Sequence, residues 1–259
     1  MPDKGTLKKV TRVGGSESSV AATEKETRTF VASDESKGKA KSSRLLAIIS
    51  WIVAIGFEVG AILFLKKTPI NTTWLIVLIV ADLIFAVIGN LLWKKANRFD
   101  PASEKDKFKF FVQNQLGAII AVIAFLPLVI LIFTNKDLKG KQKGLVGAIA
   151  VVALLIAGVT GIDFNPPSQE QYAAQTQKVE ELTGANLVYW TKSGTHYHLY
   201  SDCPYINTKK TNEIFEGTVA KARELKNITE ICSFCENRVK KEKGLDAEKI
   251  PEVPQEKTE

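Results

Sequence analysis

Both histidines of the chain and all three of its cysteines lie between positions 196 and 235. His196, His198 and Cys203 form one group, and Cys232-Ser-Phe-Cys235 forms the other. An odd number of cysteines argues against a closed disulfide framework, whereas three thiolates and one imidazole complete a tetrahedral zinc shell. The two-residue spacing of Cys232 and Cys235 lets both sulfurs of one turn reach a single ion, and His198 with Cys203 supplies the second pair. His196 and His198 lie two apart on a predicted strand, hence on one face. Either could ligate, and nearness to Cys203 favours His198. The expected ligands of a Zn2+ ion are therefore His198, Cys203, Cys232 and Cys235. Four protein ligands leave no open position for water, which predicts a structural ion and a protein that is not an enzyme.

Two other chemistries fit these cysteines less well. Thioredoxin-like exchange wants the Cys-x-x-Cys at the start of a helix within an alternating strand and helix fold, and that alternation is missing. Free thiols in a minimal core are the bland alternative. The region 186–243 holds little apolar core, so a bound ion would account for its folding.

The elements that must position these ligands follow from the local pattern. Val188 to Thr191 and His196 to Tyr200 alternate as the two strands of a hairpin around Lys192, Ser193 and Gly194, with the glycine in the left-handed turn position. Ser-Asp-Cys-Pro-Tyr-Ile and a polar stretch come next, then a short helix over 217–227 and the Cys-x-x-Cys segment. Upstream, Pro166 and Pro167 end an apolar run, and Ser168 with Gln171 resembles a capping box. A spacer helix is expected within a linker over 164–185, with Tyr172, Val179 and Leu182 as its few apolar positions. Residues 1–43 and 244–259 are too polar to offset the entropy of ordering and read as disordered tails.

Together, VYWTKSGTHYHLYSDCPYI and GTVAKARELKNITEICSFC resemble the small metal-binding module, related in appearance to the Ada-type metal-binding domain, that ends many bacterial nuclease-like, competence-type and membrane proteins. The likeness rests on Tyr189, Thr191, Ser193, Gly194, Tyr197, His198, Cys203, Ala220, Ala222, Cys232 and Cys235, within residues 188–235. It implies a bacterial source, and from the company such modules keep it suggests a membrane-tethered metal-dependent nuclease-like protein as an alternative. That alternative needs a catalytic domain, and 1–43 and 94–116 are too short and polar to provide one.

The rest of the chain is built for lipid. Four apolar runs, 44–65, 73–93, 116–133 and 145–162, are each long enough to cross a hydrocarbon core of about 30 Å. Buried helices of a soluble protein would need amphipathic partners, and the chain has none. The first run starts too far from the amino end for a cleaved signal peptide. Four spans place both termini on one side. That side carries eleven flanking cations (Lys37, Lys39, Lys41, Arg44, Lys94, Lys95, Arg98, Lys105, Lys107, Lys109 and Lys178). The other carries six, Lys66, Lys67, Lys136, Lys139, Lys141 and Lys143. The excess predicts an inner-membrane protein with both termini in the cytoplasm.

Glu58 and Asp82 interrupt the first two runs. An ionised carboxylate at that depth costs at least about 3 kcal/mol, so each should be protonated, paired or turned to a wet interior. Asp82, Ala86, Gly89 and Asn90 recur at helical spacing as a small, polar stripe that should face other helices. Ala153, Ala157 and Gly161 repeat small residues at a four-residue spacing in the fourth run, which lets backbones approach closely. Pro127 predicts a kink in the third, since it removes a backbone donor. One reading makes the two acids hydrogen-bonding glue; the other makes the chain a small transporter or channel component that uses them.

Residues 164–259 carry 13 Lys and Arg against 15 Asp and Glu. That balance argues against a nucleic-acid partner, and Lys209, Lys210, Lys221, Arg223 and Lys226 read as a solvated helix face. The expected fold is a membrane all-α region of four transmembrane helices (44–163) followed by a small α+β zinc-ribbon-like module (186–243). The expected partners are the lipid bilayer and a protein bound through the module, in binding or interaction rather than catalysis.

Overall fold

The computed structural model describes residues 9–14 and 29–244. A short strand β1 (Val10–Arg12) precedes four long helices, α1 (Asp34–Leu65), α2 (Thr72–Phe99), α3 (Lys107–Thr134) and α4 (Gly140–Gly161). Then come α5 (Gln169–Thr183), β2 (Val188–Trp190), β3 (His196–Tyr197), β4 (Ile214–Gly217), α6 (Val219–Lys226), β5 (Glu230–Ile231) and α7 (Ser233–Glu242). The chain forms two compact units, Ala32–Ser168 and a second that joins the described parts of Met1–Val31 and Gln169–Glu259.

In the first unit α1 to α4 are each long and apolar enough to span a membrane. The protein is a multi-pass membrane protein. Each helix overruns its apolar run at one end or both; polar caps start α1, α2 and α3, whereas α4 begins at Gly140 without a side-chain cap. The Ser33 side chain accepts from the Ser36 amide at the start of α1, the Asn71 side chain from Thr73 and Trp74 at α2, and Asp106 from Lys109 at α3. Residues 34–43, expected in a disordered tail, are thus the first turns of α1, with Asp34 and Glu35 set against the positive end of the helix dipole. Pro127 lies within the single helical segment of α3.

Helices in lipid gain little from burying apolar surface against one another, so small residues and polar links fix their packing. Ala47, Ala54, Ala61, Ala86, Ala121, Ala124, Ala150, Ala153 and Ala157 all lie in the buried core, with Gly89 and Asn90 beside them. A Cβ on Gly161 would lie 2.4 Å from the Ala118 nitrogen and 2.5 Å from the Gly117 carbonyl carbon, so α3 and α4 touch backbone to backbone. Asn90 accepts from the Trp51 indole at 3.1 Å and donates to the Ala157 carbonyl at 2.9 Å, which joins α1, α2 and α4. A Cβ on Gly117 would meet the Asn90 Oδ1 at 2.8 Å, so the asparagine also rests against α3.

The second unit holds two small sheets, β1-β4-β2 and β3-β5. β1 runs parallel to β4, with Val10 opposite Ile214, and β2 runs antiparallel to its other edge. Residues 9–14, expected to be disordered, therefore form an edge strand; the rest of the two predicted tails, apart from 29–43 and 244, lies outside the described residues. The expected linker helix α5 begins at Gln169, and its apolar positions Val179 and Leu182 belong to this unit's core with Val188, Trp190, Ile214, Val219 and Ile228. It is a packed wall of the unit rather than a spacer. Tyr172 is buried against Arg223, whose guanidinium lies 4.6 Å from the ring centre and donates to Gln171 and Gln175. Arg223 is only 1% exposed, so the basic cluster of α6 is not a wholly solvated face.

Candidate metal centre

The expected hairpin takes a different form. β2 and β3 do not make a long ladder; the Tyr189 and His198 backbones exchange a pair of hydrogen bonds at 2.7 and 2.8 Å, and β3 pairs instead with β5. Gly194 is not in the left-handed region. Its role is steric, because a Cβ there would lie 2.8 Å from the Thr191 hydroxyl.

β3 and β5 run parallel, with Tyr197 opposite Ile231, so the residues just beyond their ends emerge side by side. His198 leaves β3 and Cys232 leaves β5, and the Cys232 amide donates to the Tyr197 carbonyl at 2.9 Å. Cys203 ends a tight turn in which its amide donates to Tyr200, and its carbonyl accepts from Ile206 and Asn207. Cys232 is the residue before α7, and Cys235 lies in the first turn of that helix. Helix α7 escaped the sequence reading, although Arg238 with Glu242 and Lys240 with Glu236 are ion pairs at helical spacing.

The structure brings His198, Cys203, Cys232 and Cys235 together, all buried, with one candidate ligand atom from each within 4.8 Å of the others. The His198 Nδ1 lies 3.2 Å from the Cys203 sulfur and 3.7 Å from that of Cys235. Zinc bonds of about 2.0 Å to nitrogen and 2.3 Å to sulfur require ligand separations of roughly 3.5–3.8 Å, so the cluster is of a size that can close on an ion. His196 is not part of this cluster. Its side chain is 46% exposed, with Nε2 3.2 Å from Glu230 and Nδ1 2.9 Å from the Thr195 hydroxyl.

Burial sets the protonation of the metal-free cluster. It pushes the Cys203 thiol up to about 12 and raises Cys235, while hydrogen bonds from the backbone of Tyr205 to Cys203, and of Leu199 and Tyr200 to Cys235, pull the other way. The same burial lowers His198 to about 4. A neutral imidazole and protonated thiols are what a metal-free pocket tolerates, and a divalent cation supplies the charge that lets thiolates form. The start of α7 provides one of the conditions for redox exchange, but the raised Cys235 thiol opposes the low pKa that such chemistry uses.

No family model, curated protein or solved structure matches this chain.

Proposed function

We propose that this is a bacterial inner-membrane protein whose four spans display, on the cytoplasmic side, a module folded around one structural zinc ion and used for binding a protein partner. His198, Cys203, Cys232 and Cys235 are its ligands. The observation that carries the reading is the convergence of these four side chains, from two separate turns, on one buried point. Four ligands close the shell, which favours a scaffold over a catalyst. The Tyr-His pair, the nearby Cys203 and the final Cys-x-x-Cys are the features by which the sequence resembles the small metal-binding module.

Pairing of β1 with β4 supports the topology, because it ties a segment before the first span to a module after the last one and so keeps both on one side. The cation excess of the flanks favours the cytoplasm as that side. The partner class follows from charge and surface: the C-terminal region is slightly acidic, and Tyr205 and Phe234, on the two ligand turns, form an exposed edge-to-face pair with ring centres 5.9 Å apart. Aromatic residues of this kind are enriched at protein interfaces.

The test is metal analysis of the purified full-length protein. Wild type and His196→Ala should carry close to one zinc per chain, and His198→Ala and Cys203→Ser should lose most of it. Retention by His198→Ala, or zinc-free wild type, would remove the site. On intact cells treated with a permeant chelator, the thiols should stay protected from an impermeant reagent until the membrane is opened; reaction from outside would reverse the topology.

A further inference from the structure

Between the charged ends of the four helices the chain carries only two ionisable acids, Glu58 and Asp82. The packing of α1 on α2 sets them at one level. Phe57 stacks on Phe85, and a Cβ on Gly60 would lie 3.9 Å from the Leu78 side chain. This antiparallel register brackets Glu58 opposite Asp82. Glu58 is 5% exposed and Asp82 0%.

Their hydrogen bonding separates them from Ser50, Asn90, Asn97 and Asn114, the buried hydroxyl and amides between the helices of this unit. The Ser50 hydroxyl donates to the Phe85 carbonyl, Asn90 bonds to Trp51 and Ala157, Asn97 donates to the Gln113 carbonyl and Asn114 to that of Phe110. Among the described residues, the Glu58 Oε1 and both Asp82 carboxyl oxygens have no such partner. A carboxyl kept as a link between helices would donate to a carbonyl as Ser50 does, and these do not. Nor is positive charge at hand. α1 has no other ionisable group between Arg44 and Lys66, α2 none other between Thr72 and Lys94, α3 none after Lys109 and α4 none after Lys143. Arg44 is engaged 2.8 Å from Asp100. Two adjacent carboxylates in a medium of low dielectric repel and are poorly solvated, so the proton is the available counter-charge.

We infer that Glu58 and Asp82 form one proton-binding dicarboxyl site within the α1–α2 hairpin, a site that takes up and releases protons rather than a fixed link between helices. It is independent of the zinc module, and either can stand without the other. The experiment is infrared difference spectroscopy of the full-length protein in lipid vesicles across pH, reading the carbonyl band of protonated carboxyl groups. Glu58→Gln and Asp82→Asn keep the shapes and identify the bands. Both bands should be present in acid and vanish reversibly as pH rises, and each substitution should displace the other residue's midpoint by about one pH unit or more, as coupled sites require. Bands that persist at every pH, bands absent at every pH, or midpoints indifferent to the partner would overturn the inference. Should the variants fail to fold, a lipid-soluble carbodiimide, which attacks protonated carboxyls, provides a second measurement on wild type. Adducts mapped by mass spectrometry to Glu58 or Asp82 in acid and suppressed in alkali are expected; no adduct at either residue counts against the site.

Discussion

The two units bury polar groups by opposite means. In the helical unit these are mostly short amides and hydroxyls, of which Ser50, Asn90 and Asn97 bond to a neighbouring helix, and the close contacts are made by glycine and alanine. In the mixed unit three thiols and an imidazole converge on a single point among aromatic and branched aliphatic side chains. Lipid offers helices no hydrophobic reason to associate, so many small contacts share the load. A module of modest size in water has a small core, and an ion bound at that point would concentrate much of its stability at one place. Damage should therefore be graded in the first unit and close to all-or-none in the second.

On the proposed zinc site, removing the ion should sharpen that contrast most. A structural zinc is worth on the order of 10 kcal/mol in small domains. Chelation, or Cys203→Ser, should open the second unit to proteolysis while the four spans keep their helical circular dichroism. Equal loss in both units, or none in either, would break the comparison. Next in size is Gly161→Val, which drives a side chain into the α3 backbone and should cost about 1–3 kcal/mol in thermal unfolding of the helical unit without loss of zinc. Asn90→Ala leaves the Trp51 indole without its acceptor and should cost about 1–2 kcal/mol, seen in the same measurement.

Much of this division is written in local sequence. Runs of about 20 apolar residues announce spans whatever lies around them, and the spacing of Asp82, Ala86, Gly89 and Asn90 identifies a stripe that the structure buries. Helix ends were less legible, because caps such as Ser33 and Asp106 lie beyond the apolar windows. The cysteine spacing marked the cluster, but the strands that assemble it are two to four residues long and owe their existence to pairing across the sequence. Val10–Arg12 shows no alternation worth the name, and only β4 makes it a strand. Arg223 looked like its exposed lysine neighbours until Tyr172, Gln171 and Gln175 were folded around it. The choice between His196 and His198 was not legible from their spacing, because it depends on residues far along the chain: His196 sits beside Glu230, and His198 beside Cys203 and Cys235.

The smallest effects should come from the rim of the second unit. Arg12 pairs with Glu216 at 3.0 Å with its side chain 75% exposed, so Arg12→Ala should cost less than about 1 kcal/mol. Faster hydrogen exchange at the amides of Val13 and Ile214, which tie β1 to β4, would report it. His196→Ala removes an exposed side chain and should change stability by no more than about 0.5 kcal/mol.

X-ray absorption at the zinc edge of the purified full-length protein tests the central claim most directly. The account predicts three sulfur neighbours at about 2.3 Å and one nitrogen at about 2.0 Å. A shell dominated by oxygen or nitrogen, a second nitrogen in place of a sulfur, or the absence of zinc would contradict it.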